Sequence, residues 1–262
     1  MCFIDFTINL NTIMNIKTLL GITQIKRKSR LGAFISHIVI SFVILAIALC
    51  LAIFFWFPND LIKAGGITGL IIITGVDLIL GPLLTLIVYK PNKKGLFFDL
   101  ACIVTLQVSC LIYGLWSMYN QRPAIQIIAH DAVYIVSAYD TQYYGIELDT
   151  IQGKTPKIVM LDLPTDSSTW AGLSLTYEIT DSKPIHLQQK LFIAIDDASD
   201  SRYSQRINIL KKSKNLAQKV DRLNKQSSTQ CEWIPVKSPH LEDNSIACFN
   251  KEKGITKIAN SD

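Results

Sequence analysis

Three stretches of this 262-residue chain, Leu31–Phe57, Gly65–Tyr89 and Leu96–Tyr119, exceed the length of about 18 mostly uncharged residues that crosses a bilayer. No later window comes close. The apolar fraction of 49 % is therefore not spread through the chain but concentrated in its first half. The expected fold class is a membrane protein with three transmembrane α-helices and its N-terminus inside. An exported α+β domain follows, with antiparallel strands and one basic amphipathic helix.

Charge separates the same two parts. Residues 1–120 carry nine Lys/Arg against four Asp/Glu, whereas residues 121–262 carry seventeen of each, so the net charge of +5 belongs to the membrane part. Lys17, Lys26, Arg27, Lys28 and Arg30 precede the first span and Lys90, Lys93 and Lys94 follow the second, but only Lys63 lies between the first and second. The positive-inside bias then makes residues 1–30 cytoplasmic, 31–120 a three-span domain and 121–262 an exported domain. A cleaved signal peptide is disfavoured, because the first run is too long and ends in "FFWFPND" without a small-residue cleavage site. Met14 is an alternative start, which would leave residues 1–13 untranslated.

Asp77 is the thirteenth of the 25 residues from Gly65 to Tyr89, near the bilayer midplane. An ionised carboxylate there costs at least ~2.5 kcal/mol, so it must be protonated, paired or shielded among helices. Candidate partners at similar depth are Thr105, Gln107 and Ser109, with Gln107 favoured because its amide donates two hydrogen bonds. His37 lies nearer the cytoplasmic end and reaches Asp77 only if the helices are offset. One Asp and one His among three spans make a poor ion path, so a polar helix joint is the preferred reading over a relay. Gly65 and Gly69 form a small-xxx-small pair that admits a neighbouring helix, and Gly81-Pro82 should kink the second span. Asp99 suits the first turn of the third span, near Lys93 or Lys94.

Of six cysteines, Cys50, Cys102 and Cys110 lie inside spans and Cys2 in the doubtful leader. Cys231 and Cys248 remain, with 16 residues between them. In an oxidising compartment they should pair, worth on the order of 3 kcal/mol.

Residues 124–195 contain the β-type runs "AIQIIAHDAVYIVSAY", "KIVMLDLP", "AGLSLTYEIT" and "LFIAI". From Ser201 to Gln226, Ile207, Leu210, Ala217, Val220 and Leu223 recur at helical spacing. This helix carries Arg202, Arg206, Lys211, Lys212, Lys214, Lys219, Arg222 and Lys225 against Asp221 alone, a face suited to anionic lipid or an acidic partner, or simply to solvent. Nucleic acid is not a sensible ligand for a neutral exported domain.

Catalytic signatures are lacking. His130, Asp131, His186 and His240 are scattered, no nucleophile elbow or metal-spaced cluster appears, and Asp196, Asp197 and Asp200 lack the frame of a calcium loop. The chain reads as a non-enzyme without metal or cofactor.

The segments "SRLGAFISHIVISFVILAIAL" and "GVDLILGPLLTLIVYKPNKKGLFFDLACIVTLQVSCLIYGLWSMYNQRPA" resemble the TfpX/TfpZ family of type IV pilin accessory proteins, over roughly residues 29–139. Ser29, Arg30, His37, Asp77, Gly81, Pro82, Asp99, Gln107, Tyr113, Arg122 and Pro123 stand at positions matching the family pattern. The resemblance implies an inner-membrane chaperone or assembly factor specific for a major type IV pilin, working beside the pilus assembly machinery. The competing classes are a membrane-bound pilin-modifying enzyme and a small transporter subunit.

Overall fold

A computed structural model describes residues 29–91, 93–164, 167–195, 200–212, 223 and 232–259. Three helices are long and apolar enough to cross a membrane: Arg30–Trp56, Gly66–Val88 and Leu96–Asn120. A mixed α+β sheet domain follows them. The chain divides into two compact units, one of residues 1–46 with Thr74–Leu111 and one of Ile47–Ile73 with Ile112–Asp262.

In the first unit, helix α1 (Arg30–Leu51) begins with Ser29 Oγ accepting from the Gly32 N–H at 3.0 Å. The second span is not one uniform helix: α2 (Gly66–Thr74), all but its last residue in the second unit, opens into a π-helical turn, Gly75–Leu80, before α3 (Gly81–Val88). Pro82, which lacks an N–H, sits in the first turn of α3, and the wider turn before it absorbs the missing hydrogen bond. The distortion expected at Gly81-Pro82 thus falls on the turn that carries Asp77. In α4 (Leu96–Asn120), Lys93 Nζ pairs with Asp99 at 2.6 Å, as the helix-start reading expects.

In the second unit, seven strands form one sheet in the order β4-β3-β1-β2-β5-β6-β7. They are β1 (Pro123–Ile128), β2 (Val133–Ser137), β3 (Lys157–Leu161), β4 (Phe192–Ala194), β5 (Glu232–Lys237), β6 (Ile246–Asn250) and β7 (Gly254–Ala259). Antiparallel pairing holds for β1/β2, β3/β4, β5/β6 and β6/β7, but β1/β3 and β2/β5 are parallel. The mixed sheet follows from its layers, since strands at the centre are buried on both faces. One cluster gathers Ile128, Val133, Ile234 and Phe249 with Ile207 and Leu210 of α7 (Asp200–Lys211). The other gathers Ile125, Ile127, Val159 and Leu161 with Trp170, Leu173 and Tyr177 of α6 (Ser167–Asp181).

Helix α6 corrects the sequence reading, which took "AGLSLTYEIT" as a strand. Alternation of Leu173, Leu175, Tyr177 and Ile179 suggested period two. In the fold Trp170, Leu173 and Tyr177 turn inward at helical spacing, while Leu175 and Ile179 stay 60 % and 72 % exposed. Strands β5–β7 were not expected at all. A short α5 (Ala138–Tyr143) completes the domain, capped by Ser137, whose Oγ accepts from the Asp140 N–H at 3.0 Å.

The loop joining the first two spans belongs to this unit too. Residues Asn59–Ala64 form a 3-10 turn along the outer edge of β7. Asp60 Oδ2 accepts from the Ile258 N–H at 3.1 Å, Lys63 Nζ donates to Ile258 O at 2.9 Å, and Asn59 Nδ2 donates to Ile255 O at 3.3 Å. Leu61, 1 % exposed, enters the sheet core. A sheet edge that would template further pairing is thereby covered.

Candidate functional site

Polar groups from all three spans meet in the first unit. His37 of α1 places Nδ1 2.6 Å from Thr85 Oγ1 and Nε2 2.9 Å from Gln107 Oε1. The Thr85 hydroxyl also donates to Gly81 O at 3.0 Å, which ties the ring contact to the backbone of the second span. Gln107 Nε2 reaches the backbone carbonyl of Asp77 at 3.5 Å. Asp77, Thr85 and Gln107 are 4 %, 3 % and 9 % exposed, although the surrounding helix surfaces are apolar and open. The arrangement is the inverse of a water-soluble core: lipid-facing side chains are apolar and the polar ones are enclosed.

Backbone closeness makes the joint possible. A Cβ at Gly81 would collide with the Gln107 amide, which sits in this place because the glycine leaves it open. Pro82 is buried beside it. The expected Gln107–Asp77 pairing is met only at the backbone; the carboxylate does not receive the amide, and Asp77 Oδ1 is buried without a hydrogen-bond partner among the described residues. Ser109 Oγ donates to Thr105 O at 2.8 Å on an exposed face, so neither residue serves Asp77.

Glycines act similarly in the second unit. Gly69 and Gly114 stand against each other's helices: a Cβ on Gly69 would collide with the Met118 side chain and one on Gly114 with the Ile73 side chain. Gly65 packs on Gln121, where a Cβ would meet a carbonyl oxygen at 2.7 Å. Trp56 and Tyr119 close that end of the first and third spans, ring to edge at 5.4 Å.

Three curated proteins of Dichelobacter nodosus are similar to this sequence. A fimbrial assembly protein of serogroups C1 and C2 is 33 % identical over 107 residues, which are 40 % of this chain and 82 % of that protein. The chain belongs to this family of fimbrial assembly proteins. The serogroup E1 protein is 38 % identical over 108 residues and the serogroup I protein 33 % identical over 107, each match spanning 42 % of the relative. Likeness to those two thus reaches less than half their length. No family model matches the sequence, and no solved structure matches the fold.

Of the four described residues of the expected basic face, three are committed within their own domain. Arg206 is 3 % exposed and donates to Leu163 O at 2.8 Å, Arg202 pairs with Asp162 at 3.2 Å, and Lys211 with Glu232 at 3.3 Å. Arg206 is therefore a core cation rather than a contact residue. Of the remaining positions Lys212 is exposed, whereas Lys214, Lys219, Arg222 and Lys225 lie outside the described residues.

The scattered histidines find structural places. His130 stacks on Trp170 at 5.2 Å, His240 contacts Gln121 Oε1 at 3.3 Å, and His186 lies flat on Tyr134 at 3.9 Å. Burial pushes His186 down to about 4, with Lys237 adding and Asp131 opposing. Tyr134 donates to Asp131 at 2.9 Å, and burial with that carboxylate holds its hydroxyl well above the ordinary range. Cys248 is buried on β6, and its expected partner, Cys231, lies outside the described residues, as do Asp196 and Asp197.

Thr85, Gly114 and the 59–63 clamp escaped the sequence reading. Thr85 had a signal, standing four residues after Gly81 and eight after Asp77 on one helical face. Asn59, Asp60 and Lys63 had none, because their partners lie about two hundred residues away on β7.

Proposed function

We propose that this chain is an inner-membrane assembly factor of the TfpX/TfpZ kind, which holds a major type IV pilin before its incorporation. The observation that carries the reading is the match to most of the length of a fimbrial assembly protein. A pilin awaiting assembly is a single apolar helix with a globular head. Three spans with close-packing glycines and an enclosed polar joint offer such a helix a shaped surface, and the sheet domain offers the head a folded one. Asp77 Oδ1, buried and unpartnered, is a natural acceptor for a donor from that helix. In this reading residues 121–262 face the periplasm, Cys231 and Cys248 are linked, and the chain is not itself an enzyme.

The test is deletion of the gene, with pilin abundance and mass followed in membranes. Loss of unassembled pilin through degradation, with unchanged transcript and mass, is the expected result. A pilin of normal abundance and altered mass would move the assignment to a modifying enzyme, and normal levels of unmodified, assembled pilin would remove the holding role. Exchange of residues 140–262 with those of a relative should redirect which pilin is protected, because specificity needs contacts with one head domain.

A further inference from the structure

The topology fixes which end of the sheet lies beside the third span. Strand β1 starts at Pro123, three residues after α4 ends at Asn120, and runs away from it. Strand β2 returns antiparallel, bringing Ser137 opposite Pro123, and β3 leaves parallel to β1 with Lys157 opposite Ile125. Both ends of the 138–156 connection therefore sit at the span-side end of the sheet. The attachment is direct, since the Ala138 N–H donates to Arg122 O at 2.9 Å.

That end of the span is aromatic. Trp116 and Tyr119 are 60 % and 45 % exposed, and the Arg122 guanidinium lies 3.7 Å over the Tyr119 ring. From α5, starting beside Arg122, Tyr139 and Tyr143 project with 52 % and 71 % exposure, their rings stacked at 6.2 Å, and Tyr144 sets its edge on Tyr143 at 5.0 Å. Tyrosine has an apolar body and a polar tip, the combination favoured in the headgroup layer. In water, two such rings on a short helix leave apolar surface open. We propose that α5 inserts Tyr139 and Tyr143 into the headgroup layer of the bilayer, extending the aromatic belt of the spans onto the sheet domain and fixing how that domain stands on the membrane.

The contact is aromatic rather than electrostatic. The 138–156 connection carries Asp140, Glu147 and Asp149 against Lys154, while the nearby cations Arg122 and Lys183 are turned onto the Tyr119 ring and Tyr144 O, so the connection offers anionic headgroups no net attraction, and Asp140 turns back to accept from the Ser137 hydroxyl at 2.8 Å. Docking should therefore occur on zwitterionic lipid and resist salt.

The full chain, labelled with 3-fluorotyrosine and placed in phosphatidylcholine nanodiscs, tests this by 19F NMR with resonances assigned through single Tyr→Phe variants. A doxyl-labelled lipid near the headgroup should broaden Tyr139 and Tyr143 as strongly as Tyr119, leave Tyr203 of α7, packed against the sheet core, sharp, and do so equally at low and high salt. Signals from Tyr139 and Tyr143 no broader than that of Tyr203 would overturn the proposal, as would broadening confined to a water-soluble relaxation agent, which marks a face open to a protein partner. Broadening that appears only with anionic lipid and vanishes in salt would replace aromatic insertion by charge attraction and equally overturn it.

Discussion

The polar joint of the spans and the loop that clamps β7 solve one problem in opposite solvents. Around Asp77, His37, Thr85 and Gln107 the polar atoms are inside and the apolar side chains outside. Around Leu61 the apolar side chain is inside, and Asn59, Asp60 and Lys63 satisfy a sheet edge from its rim. Burying Leu61 removes apolar surface from water and is driven at about 25 cal/mol per Å². No comparable gain exists between helices in lipid, so the joint depends on hydrogen bonds and on the close approach that glycine permits.

That contrast sets the order of the expected effects. Leu61→Ala should cost about 2–5 kcal/mol in unfolding of the sheet domain, because it opens a cavity in a filled core. Chemical denaturation of the detergent-solubilised chain would show it, and an unchanged midpoint would mean that the loop merely rests on the domain.

The second effect is a pH dependence confined to the water-soluble side. His186 titrates at about 4 when folded and near its ordinary 6.5 when unfolded, so the fold prefers it neutral. Its contribution is complete above pH 6.5 and is lost as pH falls towards 4, by roughly 3 kcal/mol at about 1.4 kcal/mol per pH unit. His186→Phe should keep the stacking on Tyr134 and flatten that part of the curve. A wild-type stability that stays level from pH 7 to pH 4 would contradict the burial assigned to this ring.

Within the spans, Gly81→Ala should cost about 1–3 kcal/mol by forcing Gln107 out of the joint, whereas Gly75→Ala should be nearly neutral, since nothing lies within 4 Å of its Cβ position. Equal behaviour of the two variants in thermal unfolding would dissolve the claim that glycine is needed at Gly81 and not at Gly75. The smallest effect is expected at Asp77. Its side chain receives no hydrogen bond from Gln107, so Asp77→Asn should be tolerated within about 1 kcal/mol. If Asp77→Asn accumulates normally and yet abolishes pilus assembly, the carboxylate acts on a partner or a proton rather than as a joint.

Much of the membrane part was legible because lipid imposes simple rules. Lengths gave three spans, and Asp77 and Gln107 were expected to face each other at one depth, whereas His37 was expected to reach that depth only if the helices are offset and Gly81-Pro82 was read as a kink. The assignment of hydrogen bonds within it was not legible. Whether an amide meets a carboxylate or the carbonyl behind it depends on a π-helical turn, and period analysis sees only helix. The α6 segment failed for a related reason: alternate apolar residues fit a strand, and only the sheet face offered to Trp170, Leu173 and Tyr177 selects a helix.

What the sequence determined by itself is the division into an apolar three-span half and a neutral α+β half, since composition alone fixes which solvent each can tolerate. The tertiary structure decided where the boundary between them lies in the fold. Residues 59–64 look like a spare turn between two spans, yet Leu61 fills the sheet core and Lys63 and Asp60 close its edge. Such contacts join residues 195, 196 and 198 positions apart in the chain. Nothing local encodes them, because the free energy that selects them comes from completing a core and an edge that exist only once the other strands are in place.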